Sequence, residues 1–221
     1  MPRMSAITAL DETTWAEATW PLGTHLRADG VTFAVYAPAA TRVQLEIYPE
    51  ALGATASDTF LPARGADGIW RARLGGLEPG ALVGFRVWGP NWPYDEAWTP
   101  GSDVGFIADL DEQGNRFNPN KVLFDPYSRE ITHNVYTDAL GRLGVDDGVL
   151  GTGGELVDGA PRRRIDTAPY APKGIVVAES AAPDGKPQLP PEQAIIYEAG
   201  VAQLTERLRS EERRVGKECR S

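Results

Sequence analysis

An antiparallel β-sandwich of immunoglobulin-like topology is the fold this sequence predicts, on three observations. Short runs alternate apolar and polar residues with a period of two. The links between them are rich in glycine and proline. No long amphipathic helix interrupts residues 27–89. The first run, VTFAVYAP (31–38), puts Val31, Phe33 and Val35 on one face and Thr32, Ala34 and Tyr36 on the other. The second, RVQLEIYP (42–49), turns Val43, Leu45 and Ile47 inward and Arg42, Gln44 and Glu46 outward. After the turn GADG (65–68), IWRARL alternates again, and GFRVWG (84–89) is a further strand candidate. GGLEPG (75–80) carries the glycine and proline that a tight connection needs. A slip of one residue would expose Val43, Leu45 and Ile47 together, so register is strict.

Beyond Gly89 the pattern changes. GPNWPYDEAWTPG (89–101) is dense in proline, glycine and tryptophan, which predicts an irregular loop with a large aromatic load. Residues 141–158 are rich in glycine and acid with few apolar anchors, and predict a surface loop or linker. GIVVAE (174–179) is a short strand candidate, and after a proline-rich break QAIIYEAGVAQL is a buried-strand candidate.

Composition limits the function. The chain has 221 residues and a net charge of −9, which argues against nucleic acid and is compatible with a neutral polyhydroxyl partner. No apolar run approaches the roughly 20 residues that span a bilayer. The N-terminus has no basic start followed by an apolar core, so no secretory signal is expected. With one cysteine, Cys219, and no cysteine/histidine cluster, neither a disulfide nor zinc is expected, and a reducing cytoplasm is the simplest setting. No motif calls for a cofactor. GTGG (151–154) lacks the lysine and Ser/Thr of a phosphate loop. DLDEQGNRFNPN (109–120) places Asp109, Asp111 and Gln113 as a calcium loop would, but Asn120 stands where a bidentate glutamate is required, which favours a polar turn. His25 and His133 lack spaced partners and read as structural or exposed.

FRVWGPNWPYDEAW, followed by GFIADLDEQGNRFNPNKVLFDPYSREI and YAPKGIVV, resembles the segment that links the N-terminal module of bacterial isoamylases to their catalytic barrel. AIIYEAGVAQLT (194–205) looks like the first strand of a family 13 glycoside hydrolase barrel. The resemblance implies a mainly β fragment: the sandwich, an extended linker and the first strand of a missing (β/α)8 barrel. It further implies a debranching glycosidase that hydrolyses α-1,6 linkages of glycogen or amylopectin. The aspartate nucleophile and glutamate acid/base of such enzymes sit on later barrel strands. No catalytic residue is therefore expected in this chain. Gly200 and Ala202 depart from the histidine and basic residue usual in that first strand.

Two groups of candidate site residues follow. Trp92, Tyr94 and Trp98 crowd one loop, and suit either a stacking platform for an α-glucan or interdomain packing locked by Pro90 and Pro93, with packing the favoured reading. Arg116, Phe117, Asn118, Pro119, Asn120, Lys121, Asp125 and Tyr127 form the block expected to seat the sandwich on the barrel. Arg116 and Lys121 are expected to make surface ion pairs.

The expected organisation is a tail over 1–20, the carbohydrate-binding-like module with its docking segment over 21–135, a linker over 136–190 and the start of the barrel over 191–208. Residues 209–221, RSEERRVGKECRS, resemble the translation of a sequencing adapter, which predicts truncation near Leu208. The rival reading is a stand-alone glucan-binding module without catalysis. A third, an adhesion domain with no role toward sugar, leaves GPNWPY and RFNPNKVLFDPY unexplained.

Overall fold

The computed structural model describes residues 6–134, 140–141, 147–156, 158–178, 190 and 193. Residues 6–178 among them belong to one unit, Met1–Ser180; the second unit, Ala181–Ser221, has only Pro190 and Gln193 described. The barrel strand expected at 194–205 and the adapter-like tail lie outside the described residues.

Among the described residues, nine strands form two antiparallel sheets. They are β1 (Thr8–Ala9), β2 (Gly23–Arg27), β3 (Gly30–Tyr36), β4 (Arg42–Tyr48), β5 (Asp58–Phe60), β6 (Ala63–Arg64), β7 (Ile69–Gly75), β8 (Leu82–Trp88) and β9 (Gly174–Ile175). The first sheet runs β1-β7-β3-β2 with β6 also on β7, and the second runs β5-β4-β8-β9. Register follows the alternation in the sequence. Val31, Phe33 and Val35 face Leu74, Ala72 and Trp70, while Val43, Leu45 and Ile47 face Val87, Phe85 and Val83. These side chains form one apolar core between the sheets, as the mainly β, sandwich-type expectation requires. Burying such side chains stabilises the fold by about 1.5–3 kcal/mol each.

Three features depart from the sequence reading. The tail expected over 1–20 is part of the sandwich from Thr8 onward, because β1 pairs with β7. Trp15 is buried in the core, and its indole Nε1 donates to the Leu10 carbonyl at 2.7 Å. A chain end carrying so large an apolar ring gains more by packing than by hydration.

The linker expected over 136–190 is in part a structural layer. Ala168, Ala171, Lys173 and Val176 are buried, and β9, within the strand candidate 174–179, pairs with β8.

The third departure concerns Glu46. It points away from the sandwich core, as its place in the alternation demands, yet it is only 3% exposed. Loops from 117–123 and 165–173 cover the outer face of β4 and β8 and take it out of water. Gly84 permits the approach, since a Cβ there would lie 2.7 Å from Val122 Cγ1.

Candidate functional site

Strand β8 ends in Trp88, which stands opposite Arg42 of β4. From this corner the chain enters the aromatic loop. Trp88 is fully buried and serves as the floor for two further rings. Tyr94 meets it edge to face at 5.5 Å and Trp98 at 5.1 Å. Tyr94 is 40% exposed and Trp98 half-buried. The Arg42 guanidinium lies 3.8 Å from the Tyr94 ring centroid, and that of Arg86 lies 5.7 Å from Trp98. Both are cation–π contacts that hold the rings in place.

Trp92 does not join this surface. It is 1% exposed, packs edge to face on Phe106 at 5.0 Å and donates from Nε1 to the Val104 carbonyl at 2.8 Å. The candidate trio is thus split: Tyr94 and Trp98 share one floor, and Trp92 is the loop's internal anchor. The apolar ring is held inward because Asn91 ties the loop shut around it. Asn91 Nδ2 donates to the Ala108 and Phe117 carbonyls at 3.0 and 2.9 Å, and its Oδ1 accepts from the Phe117 amide at 2.8 Å. Asn91 and Arg42 escaped the sequence reading. An asparagine before tryptophan and an arginine at a strand's start carry no special pattern.

The block expected to dock is largely consumed within the chain. Asn118 Nδ2 donates to the Arg163 carbonyl at 3.1 Å. The Pro119 carbonyl accepts from Arg86 Nη1 at 2.8 Å. Asn120 Nδ2 reaches the Ser102 and Arg163 carbonyls at 2.8 and 3.0 Å, while its Oδ1 accepts from the Gly101 amide at 2.8 Å. Phe117 packs against the core cluster and over Gly89. Asp125 is buried and accepts from the Tyr127 amide at 2.8 Å, while burial pushes its carboxyl up. Arg116 and Tyr127 are exposed.

Lys121 overturns the expectation of a surface ion pair. It is 5% exposed, and its ammonium donates to the carbonyls of Val149, Arg162 and Ile165 at 2.7, 2.7 and 2.9 Å. Three carbonyls in a closed pocket satisfy an ammonium that water cannot reach.

Beneath these loops lies a charged layer. Arg86 donates to Glu46 at 2.7 Å and to Asp166 at 2.8 Å, and the Tyr48 hydroxyl donates to Glu46. Burial alone would lower the Arg86 guanidinium; the Glu46 and Asp166 carboxylates outweigh it and raise it. Burial, with Glu46 beside it, drives the Tyr48 phenol up. Lys173 is fully buried against the Tyr48 ring, and burial lowers both its ammonium and that of Lys121 to about 8.

Asp111 closes its loop on itself. Its Oδ1 accepts from the amides of Gln113 and Asn115 at 3.0 and 2.8 Å, and its Oδ2 from Asn115 Nδ2 at 2.8 Å. Those bonds occupy the lone pairs a cation would use. His133 bridges the Thr132 hydroxyl and the Tyr170 carbonyl. His25 meets the Leu22 carbonyl at 3.0 Å. Among the described residues, no three acidic, histidine or cysteine side chains gather as a metal site, and no helix is long and apolar enough to cross a membrane.

The chain is 36% identical over 184 residues to an isoamylase of Pseudomonas amyloderamosa, an alignment covering 80% of this chain and 22% of that protein. It is 38% identical over 185 residues to an isoamylase of Flavobacterium sp., covering 79% and 22% respectively. It is 34% identical over 188 residues to a glycogen debranching enzyme of Erwinia tasmaniensis, covering 84% and 23%. The chain therefore spans less than a quarter of the length of these relatives. Residues 21–128 match the model of carbohydrate-binding module 48, and with their two-sheet fold they belong to that family, the isoamylase N-terminal domain.

Proposed function

We propose that this chain is the N-terminal part of a glycosidase that hydrolyses α-1,6 branch linkages of glycogen or amylopectin. The observation that carries the reading is the alignment, at 34–38% identity, with isoamylases and glycogen debranching enzymes over about four-fifths of the chain. The matched part is a carbohydrate-binding module, so the 221 residues alone are a binding and seating element without turnover. The one cysteine, Cys219, lies in the adapter-like tail, and the lack of a disulfide framework suits a reducing, cytoplasmic setting.

The glucan reading centres on Tyr94 and Trp98. Two aromatic rings at adjoining positions on one rigid floor suit the apolar faces of successive glucose units, with hydroxyl groups left to water. The seating reading rests on Leu123, Tyr127 and Ile131. These large apolar side chains are exposed along one segment, Tyr127 at 59%, while Asn118, Asn120 and Lys121 hold the loops behind them.

Affinity electrophoresis of the full chain in glycogen tests the binding half. Retardation that disappears in Tyr94→Ala/Trp98→Ala supports it, and unretarded wild-type migration refutes it. Reducing ends released from glycogen by the 221-residue chain would refute the assignment of catalysis to a missing barrel.

A further inference from the structure

A second site stands apart from the aromatic corner. The chain is strongly acidic, and its core-proximal arginines are neutralised: Arg71 by Asp67, Arg73 by Asp11 and Asp29, and Arg86 by Glu46 and Asp166. Arg116, Arg162 and Arg163 differ. Among the described residues, no carboxylate forms an ion pair with any of them. The Nε atoms of Arg162 and Arg163 are buried with no hydrogen-bond partner. Arg164, the next residue, comes no closer than 3.9 Å to Asp103.

The segments that carry the three are tied together by the chain itself. The Arg163 carbonyl accepts from both Asn118 and Asn120, which ties the 162–164 turn to the segment that starts at Arg116. The glycine-rich turn 151–154 touches both sides of the group. A Cβ at Gly151 would lie 3.7 Å from Arg162 Cδ, and one at Gly153 would lie 4.0 Å from Arg116 Nη1. The Arg162 amide donates to the Gly154 carbonyl at 3.0 Å. Arg163 is fixed from another direction, with its guanidinium 4.5 Å from the Phe106 ring centroid. Lys121 is not part of this group, because its ammonium is taken by three carbonyls and lies within reach of the Asp166 carboxylate. Glu155, whose backbone pairs with Pro161, forms no ion pair with the group.

Like charges gathered without counterions repel, and orphaned guanidinium donors remain costly until an acceptor arrives. A phosphate monoester suits the gap better than a carboxylate. It carries nearly two negative charges near neutral pH and offers three oxygens to planar guanidinium forks, where a carboxylate offers two. A long polyanion would be repelled by the rest of this acidic surface. We propose that Arg116, Arg162 and Arg163, around the 151–154 turn, form an oxyanion site that takes a phosphate monoester, borne either by a glucan or by a soluble sugar phosphate. The site does not depend on the aromatic platform, and only the choice of a glucan as the bearer rests on the proposed function.

The test titrates the intact 221-residue chain calorimetrically with inorganic phosphate and with glucose 6-phosphate at low ionic strength, with chloride as control. Saturable heat with phosphate and none with chloride is expected. An Arg116→Gln/Arg163→Gln variant should bind at least about tenfold more weakly at an unchanged thermal midpoint, with Arg163→Lys between the two. Should the double variant melt earlier, Arg116→Gln alone, an exposed position, gives the same readout. Absence of phosphate heat in the wild type, or equal affinity in the variants, would overturn the proposal.

Gels of phosphate-bearing amylopectin, before and after phosphatase treatment, separate the sources. Stronger retardation before treatment assigns the ester to the glucan. Equal retardation together with saturable glucose 6-phosphate binding assigns it to a soluble sugar. The Tyr94→Ala/Trp98→Ala variant should keep phosphate binding while losing retardation in the treated gel, so the two readings fail separately.

Discussion

The Arg86 guanidinium meets the Glu46 carboxylate at 2.7 Å on the face of the β4–β8 ladder that points away from the sandwich core. Both side chains are almost fully buried, and Asp166 and the Pro119 carbonyl take the other donors of Arg86. Replacing Arg86 by leucine would strand the buried Glu46 carboxylate and leave the partly exposed Asp166 without its partner. The expected loss is roughly 3–5 kcal/mol of unfolding free energy, read from urea denaturation.

Gly89 marks the place where the aromatic loop leaves the sheet. A Cβ there would collide with the Phe117 ring. Gly89→Ala should cost on the order of 1–3 kcal/mol, the usual range for overpacking. Adding Phe117→Leu should return part of that loss, which a double-mutant cycle of denaturation midpoints measures.

Stability should rise with pH above about 8. Burial lowers the Lys121 and Lys173 ammonium groups to about 8 in the folded chain. Unfolded lysine titrates near 10.4, so between those values the unfolded chain binds more protons and stability grows with pH. Tyr48 acts in the opposite sense. Burial and Glu46 raise its phenol, so the stability that its retained proton confers is lost once the unfolded phenol ionises above about 10. Urea midpoints should therefore climb from pH 8 and turn over near pH 10. Loss of the climb between pH 8 and 10 in Lys121→Met/Lys173→Met, with the fall above about pH 10 kept, would identify the source.

Trp92 and Tyr94 should separate folding from recognition. Trp92→Ala removes a buried ring and should cost roughly 3–5 kcal/mol. Trp92→Phe loses the bond to the Val104 carbonyl, about 1 kcal/mol, and part of the buried ring, so it should cost less than alanine and keep glycogen retardation. Tyr94→Ala should lose retardation with a midpoint shift below about 1 kcal/mol. Thermal melts and gels run on the same samples decide between these outcomes.

The core was legible because period-two alternation reports which side chains share a face. Val31, Phe33, Val43, Leu45 and Ile47 lie where that pattern places them. What the pattern cannot report is whether the opposite face meets water. Glu46 is correctly outward, yet residues some 120 positions later in the chain roof it over. Polar side chains that hold loops leave no periodic trace, so Asn91, Asn120 and Lys121 emerge only from their carbonyl partners. In the aromatic loop, composition revealed the rings but not their directions. Trp92 turns inward because a single amide side chain, Asn91, seals the loop behind it.

The roof over β4 and β8 also bears on where the smallest self-sufficient piece of this polypeptide ends. The family match stops at residue 128. Severing the backbone there would strip off Asp166, Lys173 and β9, and would flood Arg86, Glu46 and Tyr48 with solvent. Anyone excising this domain for crystallisation or grafting should carry it through Val177, about fifty positions past the boundary that sequence kinship alone suggests.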